Sequence, residues 1–218
     1  MLTIYGVYRS RASRNIWLAN ELGLPFRHVP VLQVYRVPNP DAPDAPMHTR
    51  SPEFLKVNPN GHVPTIDDDG FVLHESLAIN LYLAKKHGGA LGPANVQEDG
   101  EMTMWSLWAA TEVEPHSLEI LYNLAGKPPA ERDAALARRS IEALRAPFAV
   151  LDRALAATGF AVGGRFTVAD INLAEVCRYA MPATELFDAA PNVKAWIQAC
   201  HARPAFKQMV AARDAEPA

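Results

Sequence analysis

Hydrophobic and polar positions divide the chain into two parts with different patterns. In the first part, short apolar runs are separated by turn residues, beginning with residues 2–5 (LTIY). Short runs of this kind are typical of strands. From residue 98 onward, the chain is rich in alanine and leucine, and apolar residues recur at intervals of three and four, as at Leu144, Phe148 and Leu151. Because this is the period of an α-helix, the pattern predicts an α/β domain followed by an all-α domain.

The order of elements in the first part mixes a crossover unit with an antiparallel pair. Residues 13–22 (SRNIWLANEL) carry apolar residues near helical spacing, and Gly23 ends this predicted helix. Residues 26–32 predict a second strand. Residues 63–74 (VPTIDDDGFVLH) predict two short strands around an Asp-Gly turn, which is a strong hairpin signal. A further helix is predicted over residues 76–87.

These patterns predict the domain boundaries. We expect the α/β domain to span residues 1–87, a linker to span residues 88–97 (GGALGPANVQ), and the helical domain to span residues 98–218. Pro115 and Pro147 fall inside helical patterns and are expected to kink or interrupt their helices.

Thr167 and Asp170 have the spacing of a capping box. Phe166 and Ile171 on either side are placed to form a hydrophobic staple. This motif predicts the start of a helix and not a functional site.

Composition limits the classes of function. The 218 residues are 49% hydrophobic, which is enough for a core, and the net charge is −3. A slightly acidic chain offers no general electrostatic footprint for nucleic acid. No apolar run approaches the ~18 residues of a membrane helix, and the start of the chain lacks a signal-peptide pattern. We therefore expect a cytoplasmic protein with neither nucleic acid nor membrane as a partner.

Four motifs, in this order, resemble those of the cytosolic glutathione S-transferase family. They are S-x-x-S-R after the first strand at residues 10–14, N-P-N-G-H-V-P at 58–64, H-E-S at 74–76, and the capped F-T-V-A-D at 166–170. Each is weak alone, but together they span essentially the whole chain. The resemblance implies a thioredoxin-like N-terminal domain with the order βαβαββα, an all-α C-terminal helical domain, and a homodimer. The serine-type first motif is nearest to the delta, theta and phi classes.

The resemblance also implies a glutathione site in the N-terminal domain. Pro64 matches the cis-proline of thioredoxin-like folds, and Val63 would offer its backbone N–H and C=O to the extended tripeptide. Ser76 opens a helix and would bind the γ-glutamyl carboxylate, while Glu75 would bind the ammonium group. A plain N-cap is the alternative interpretation of Ser76, and the two roles are compatible.

Two histidines are candidates for binding the glycyl carboxylate. His62 stands where many family members carry lysine. Because an imidazole changes charge near pH ~6.5, His62 predicts weaker or pH-dependent glutathione binding. His48 is the second candidate, by loose similarity to the theta class, and ordinary solvent exposure is its alternative interpretation. The proline-rich segment 36–52 is either a lid over this site or a contact in the dimer.

The thiol chemistry would reside in the ligand, because residues 1–87 contain no cysteine. The thiolate is the nucleophile, and lowering an ordinary thiol pKa of ~8.5 by about two requires ~2.7 kcal/mol of anion stabilisation. In delta-, theta- and phi-like members, the catalytic serine lies four residues before an arginine, which here indicates Ser10 before Arg14. Ser13, Tyr5 and Tyr8 are alternative donors. Transfer through a mixed disulfide is disfavoured.

The resemblance implies that the electrophile binds against the first long helix of the second domain. Trp105, Trp108, Glu112 and His116 could line this pocket, and Tyr8 is the candidate from the first domain. For each tryptophan, a place in the core is the alternative interpretation. Glu112 and His116 are four residues apart and resemble half a metal site, but no third ligand is evident, so we predict no metal. Glutathione is the expected co-substrate.

The leading prediction is a glutathione transferase that ionises the glutathione thiol for attack on a hydrophobic electrophile. One alternative is a non-enzymatic binding or regulatory protein with this fold. The presence of the full set of Ser10, Pro64, Glu75 and Ser76 argues against this alternative, since a pure binding protein needs no thiolate donor. The other alternative is a specialised glutathione-dependent dehalogenase or isomerase. The zeta-like isomerases carry a serine-serine-cysteine run that residues 10–13 lack.

Overall fold

The first apolar run forms strand β1 (Leu2–Tyr5), which lies inside a four-stranded sheet. The computed structural model describes residues 1–216. β1 pairs in parallel with β2 (Phe26–Val29) and antiparallel with β3 (Thr65–Asp68), which in turn pairs antiparallel with β4 (Phe71–His74). The strand order is β2-β1-β3-β4. The sheet therefore contains both the crossover unit and the hairpin that the sequence predicts.

The predicted Asp-Gly turn joins β3 to β4. Asp69 and Gly70 have φ angles of 53° and 91°. A two-residue turn with positive φ at both positions matches the twist of the strands that it joins, and glycine adopts such an angle without a Cβ clash. The Gly70 N–H also donates to Asp67 Oδ1 at 2.7 Å, which closes the turn.

Helices form most of the remaining regular structure, and none within residues 1–216 is long and apolar enough to cross a membrane. The α-helices are α1 (Ala12–Leu22), α2 (Pro52–Val57), α3 (Ser76–His87), α4 (Val96–Trp108), α5 (Glu114–Leu121), α6 (Ala134–Leu155), α7 (Val168–Cys177), α8 (Thr184–Asp188), α9 (Pro191–Ala202) and α10 (Pro204–Ala215). Short 3-10 turns lie at Val34–Arg36, Gly89–Leu91, Pro129–Glu131 and Arg178–Ala180. The sheet with α1, α2 and α3 has the order βαβαββα, which confirms the predicted thioredoxin-like arrangement and the helical part that follows.

The described residues form two compact units. The first contains Met1–His87 together with α10, and the second contains Gly88–Arg203. α10 belongs to the first unit because it packs against α1, where the rings of Trp17 and Phe206 meet edge-on with centroids 4.9 Å apart. The division predicted from the sequence had placed α10 with the other C-terminal helices. A helical pattern alone does not indicate which unit a helix packs against.

The second unit is built around α7, in which every residue is buried. Its start confirms the predicted capping box, since the Thr167 N–H donates to Asp170 Oδ2 at 2.8 Å. Asp170 Oδ1 accepts from Trp196 Nε1 at 2.9 Å and from the Ala161 N–H at 3.0 Å. The capping carboxylate thus also ties α7 to α9 and to the preceding loop.

The two prolines predicted to disturb helices have different effects. A π-helical segment, Ala109–Val113, joins α4 to α5, and Pro115 lies in the first turn of α5, where its missing N–H needs no partner. Pro147 lies inside α6, which continues on both sides of it. A second π-helical segment, Tyr122–Gly126, follows α5.

Candidate functional site

The peptide bond between Val63 and Pro64 is cis, as the resemblance implied. Val63 precedes β3, so its backbone N–H and C=O lie outside the ladder between β3 and β1. Buried Asn58 holds the preceding turn, because its Nδ2 donates to the His62 carbonyl and to Thr65 Oγ1, both at 2.9 Å. Asn58 therefore fixes the backbone on both sides of Val63. Asn58 was not among the predicted site residues, although an asparagine beside Pro and Gly is a turn signal.

The junction between β4 and α3 positions Glu75 and Ser76. Glu75 has a φ of 73°, a left-handed conformation that costs a residue with a Cβ roughly 1–2 kcal/mol. Such a conformation persists where the surrounding structure determines it, often at functional sites. The Glu75 carbonyl accepts the Ile79 N–H at 2.8 Å, so helical hydrogen bonding begins at Glu75 while its side chain stays exposed. Ser76 is only 4% exposed.

A buried polar cluster behind Ser76 links α1 to α3. Arg14 Nη1 donates to Ser76 Oγ at 3.1 Å. Asn15 Nδ2 donates to the Ser76 carbonyl at 2.8 Å and to Asn80 Oδ1 at 2.7 Å. Asn80 Nδ2 in turn donates to the Arg14 carbonyl at 3.2 Å. Because Ser76 Oγ accepts from Arg14, the hydroxyl keeps its own proton for donation to another group.

This cluster places positive charge at the start of α3. The guanidinium of Arg14 is always charged, and the residue is 1% exposed. The first N–H groups of α3 add the partial positive charge of a helix N-terminus. An anion at this position gains from both, so the arrangement suits a carboxylate. Asn15 and Asn80 were missed from the sequence, where the only signal is an amide on an otherwise apolar helix face.

Ser10 lies in the loop between β1 and α1, immediately before Arg11 at the N-cap position. Its Oγ donates to the Val7 carbonyl at 2.7 Å and accepts the Ala12 N–H at 3.1 Å. The side chain is half-buried. Ser10 therefore satisfies one of the first N–H groups of α1 and stands at the positive end of that helix.

The alternative thiolate donors have different surroundings. Ser13 is 1% exposed in the first turn of α1, so it is more deeply buried than half-buried Ser10. Tyr8 is half-buried, and burial together with the nearby Glu216 carboxylate raises its pKa. Tyr8 therefore stays protonated at neutral pH. Tyr5 is half-buried in β1.

Comparison with known proteins places this chain in a family. Residues 9–86 match the model of the glutathione S-transferase N-terminal domain, and residues 113–204 match that of the C-terminal domain. Glutathione S-transferase 3 of Zea mays is 32% identical to the chain over 220 residues, covering 97% of this chain and 94% of its own length. The chain belongs to the glutathione S-transferase family. This confirms the resemblance that the four sequence motifs indicated.

Solved structures of the family share the fold. A theta class glutathione S-transferase from Xanthomonas axonopodis pv. citri, with glutathione bound, aligns with a TM-score of 0.79 and 27% identity over 96% of both chains. Glutathione S-transferase I from maize, in complex with an atrazine glutathione conjugate, aligns with a TM-score of 0.83 and 26% identity over 99% of both chains. The transferase fold therefore extends over essentially the whole of this chain.

The two histidines predicted to bind the glycyl carboxylate differ in their surroundings. His62 is exposed in the turn before the cis peptide bond. His48 is 6% exposed, and its Nδ1 accepts the Arg50 N–H at 3.1 Å. Its Nε2 donates to the Pro40 carbonyl at 2.9 Å. Both ring nitrogens thus bond within the loop, and the side chain is not the exposed one of the alternative interpretation. These bonds favour a role in holding the loop, and the carboxylate contact stays a prediction.

The proline-rich segment 36–52 is closed at its base. The Leu32 N–H donates to the Met47 carbonyl at 3.0 Å, and the Thr49 N–H donates to the Leu32 carbonyl at 2.8 Å. His48 lies between these two bonds, and its ring bonds to the backbone of Pro40 and Arg50 inside the loop. A role as a lid or as a dimer contact stays a prediction.

Four of the residues predicted to line the electrophile pocket lie in the second unit of the transferase, whereas Tyr8 lies in the first. Trp105 is 9% exposed, and its ring meets that of half-buried Trp108 edge-on at 5.1 Å. Glu112 is exposed inside the π-helical segment 109–113, and His116 is half-buried in α5. A π turn offsets the α-helical register, so these two residues are not the simple i,i+4 pair of the sequence pattern. Within residues 1–216, no group of three or more metal-ligating side chains occurs.

Proposed function

We propose that this protein is a glutathione transferase in which Ser10 holds the glutathione sulfur as a thiolate for attack on a hydrophobic electrophile. The observation that carries the proposal is the cluster at the start of α3. There, buried Arg14 donates to Ser76 Oγ at 3.1 Å in the same compact unit that contains Ser10 and the Val63 backbone. Family membership supports the same activity.

Glutathione has groups that complement this unit. The N–H and C=O of Val63 pair with the backbone of the tripeptide. The γ-glutamyl carboxylate accepts from the Ser76 hydroxyl and gains from the charge of Arg14, while Glu75 binds the ammonium group. His62 is the donor for the glycyl carboxylate, with the exposure that this role requires.

The chemistry at Ser10 is a change of hydrogen-bond partner. In this structure its hydroxyl donates to the Val7 carbonyl, a neutral bond that contributes ~0.5–1.5 kcal/mol. Donation to a thiolate is charge-assisted and contributes ~1.5–3 kcal/mol, so the exchange favours the thiolate by about 1–2 kcal/mol. The bond from the Ala12 N–H to Ser10 Oγ polarises the hydroxyl further. The N-terminus of α1 supplies another ~0.3–1 kcal/mol, or up to ~2 when partly buried.

The protein itself offers no competing thiol at this site. Its two cysteines, Cys177 and Cys200, are buried in the second unit. Burial raises the pKa of Cys177 to about 12, so this residue stays an unreactive thiol at neutral pH. Both side chains are thiols and not halves of a disulfide, which also supports a cytoplasmic location, where thiols remain reduced.

A homodimer is part of the proposal. Phe71 and Val72 are 50% and 41% exposed on β4, which is an edge strand of the sheet. Apolar side chains on an exposed edge favour burial against a partner. Sedimentation of the wild type is expected to give a dimer, and Phe71→Ser should shift it toward the monomer. A wild-type monomer at micromolar concentration would contradict this part.

Steady-state kinetics with glutathione and an activated aryl chloride test the proposed chemistry. Ser10→Ala should lower kcat about 5- to 30-fold, which corresponds to the 1–2 kcal/mol estimated above, with little change in KM for glutathione. Ser13→Ala is the matched control and should retain kcat within about twofold, because its hydroxyl lies in the interior. Equal losses in the two variants, or a loss only in Ser13→Ala, would overturn the assignment of Ser10.

A further inference from the structure

The carboxylate of Glu216 binds the loop that leads into Ser10. Its Oε1 accepts the Tyr8 N–H and its Oε2 accepts the Arg9 N–H, both at 3.0 Å. A second bond joins the loop to the end of α10, since Arg9 Nε donates to the Arg213 carbonyl at 3.3 Å. Two consecutive backbone N–H groups thus bind one carboxylate that lies more than two hundred positions away in the sequence.

Helix α10 delivers this carboxylate because it packs along α1. Near its start, Asn20 Nδ2 donates to the Ala205 carbonyl at 3.5 Å, and the Trp17 ring meets Phe206 edge-on at 4.9 Å. Since the N-terminal end of α10 contacts the C-terminal half of α1, the two helices run antiparallel. The residue after α10 therefore lies beside the loop that precedes α1.

The loop residues held by Glu216 lie between the two groups that bond to each other at the catalytic serine. Ser10 Oγ and the Ser10 N–H both donate to the Val7 carbonyl. Tyr8 and Arg9 are the only residues between Val7 and Ser10. Tyr8 and Arg9 lie outside the strands and helices, so their N–H groups have no partner in regular secondary structure. Without the Glu216 carboxylate, these two groups would donate to water.

We propose that Glu216 is a positioning residue for Ser10: its carboxylate fixes the β1–α1 loop in the conformation from which the serine hydroxyl reaches the glutathione sulfur. This inference rests on the proposed function. The direction in which removal of Glu216 shifts the thiol pKa of glutathione distinguishes positioning from a simple effect of charge. A negative charge near the sulfur would by itself raise the thiol pKa, so removal of Glu216 would lower that pKa if its charge were the main effect. Removal raises the thiol pKa if positioning is the main effect.

The test uses full-length wild type, Glu216→Ala, Ser10→Ala and the double variant, with Asp214→Ala as the matched control. Asp214 is an exposed acid on α10. The ultraviolet absorbance of bound glutathione thiolate is followed against pH, together with kcat and KM. We expect Glu216→Ala to raise the thiol pKa and to lower kcat roughly 3- to 10-fold, with KM for glutathione within about twofold. Asp214→Ala should match wild type.

The double variant decides whether Glu216 acts through Ser10. In the Ser10→Ala background, Glu216→Ala should lower kcat no further and should not raise the thiol pKa again, because a positioning residue has no effect once the group that it positions is gone. An unchanged or lowered thiol pKa in Glu216→Ala, or full additivity in the double variant, would overturn the proposal. Should Glu216→Ala unfold, Glu216→Gln keeps one acceptor oxygen and is expected to show the same direction of change.

Failure of this inference differs from failure of the proposed function. A protein that responds to Ser10→Ala but not to Glu216→Ala has lost only the role of Glu216. A wild type that does not bind glutathione, or that is indifferent to Ser10→Ala, refutes the proposed function and the inference with it.

Discussion

Replacing Ser76 with alanine separates glutathione binding from chemistry. The change removes the Oγ that accepts from Arg14 Nη1 at 3.1 Å and that, in our proposal, donates to the γ-glutamyl carboxylate. A hydrogen bond to a charged group contributes ~1.5–3 kcal/mol. We therefore expect the dissociation constant of glutathione to rise roughly 10- to 150-fold.

The same substitution also lowers the stability of the fold. Arg14 is 1% exposed and loses one acceptor, which costs about 1–3 kcal/mol for a buried donor. The backbone carbonyl of residue 76 still accepts from Asn15 Nδ2, so the cluster between α1 and α3 keeps part of its connections. Urea unfolding should show a lower but cooperative transition.

Calorimetric titration and steady-state kinetics measure the two effects on one sample. The dissociation constant should rise while kcat at saturating glutathione stays within about twofold of wild type, because Ser10 is untouched. Ser76→Thr keeps a hydroxyl and should recover most of the affinity. A folded Ser76→Ala protein with wild-type affinity, or with a loss confined to kcat, would refute the role of Ser76.

Two further predictions concern stability and the proline-rich loop. The Arg165 guanidinium, which contacts both Glu98 oxygens at 3.0 and 2.7 Å, and the Ala94 N–H hold the pKa of Glu98 at about 2, below its ordinary 4.5. Because the folded-state pKa is the lower one, this stabilisation is present above the ordinary pKa and is lost as pH falls through the folded value. The melting temperatures of wild type and Glu98→Gln should thus differ near neutral pH and converge toward about pH 2; a constant difference would contradict the ion pair's role. His48→Ala should destabilise the loop but leave glutathione affinity within about twofold, since both ring nitrogens bond within the loop. Calorimetric titration measures this affinity, and a tenfold loss would indicate that His48 binds glutathione.

Local signals in the sequence were sufficient for the sheet and for part of the site. The Asp-Gly turn, the capping residues Thr167 and Asp170, and the helix end at Gly23 each depend on a few adjacent residues, and the structure confirms them. Val63 and Pro64 belong with these, because their motif predicted the cis bond. The roles of Glu75 and Ser76 in binding stay predictions, but their placement at a helix start is observed.

Residues whose roles depend on distant partners were not predictable. Asn80 contacts Arg14 from 66 positions away, and Glu216 contacts Tyr8 from 208 positions away. Neither has a local pattern that indicates its partner. The burial of His48 was not predictable for the same reason, since it depends on how the proline-rich segment folds back. The placement of α10 with the first unit likewise follows from packing that helical periodicity does not encode.

The thiol pKa of bound glutathione tests the central claim most directly. It is measured from the ultraviolet absorbance of the thiolate against pH, in wild type and in Ser10→Ala. We predict that wild type binds glutathione with a thiol pKa well below the ordinary value of ~8.5, and that Ser10→Ala still binds but with a pKa about one higher. An ordinary thiol pKa in the wild type, or an identical pKa in both proteins, would contradict the account of Ser10 as the thiolate donor.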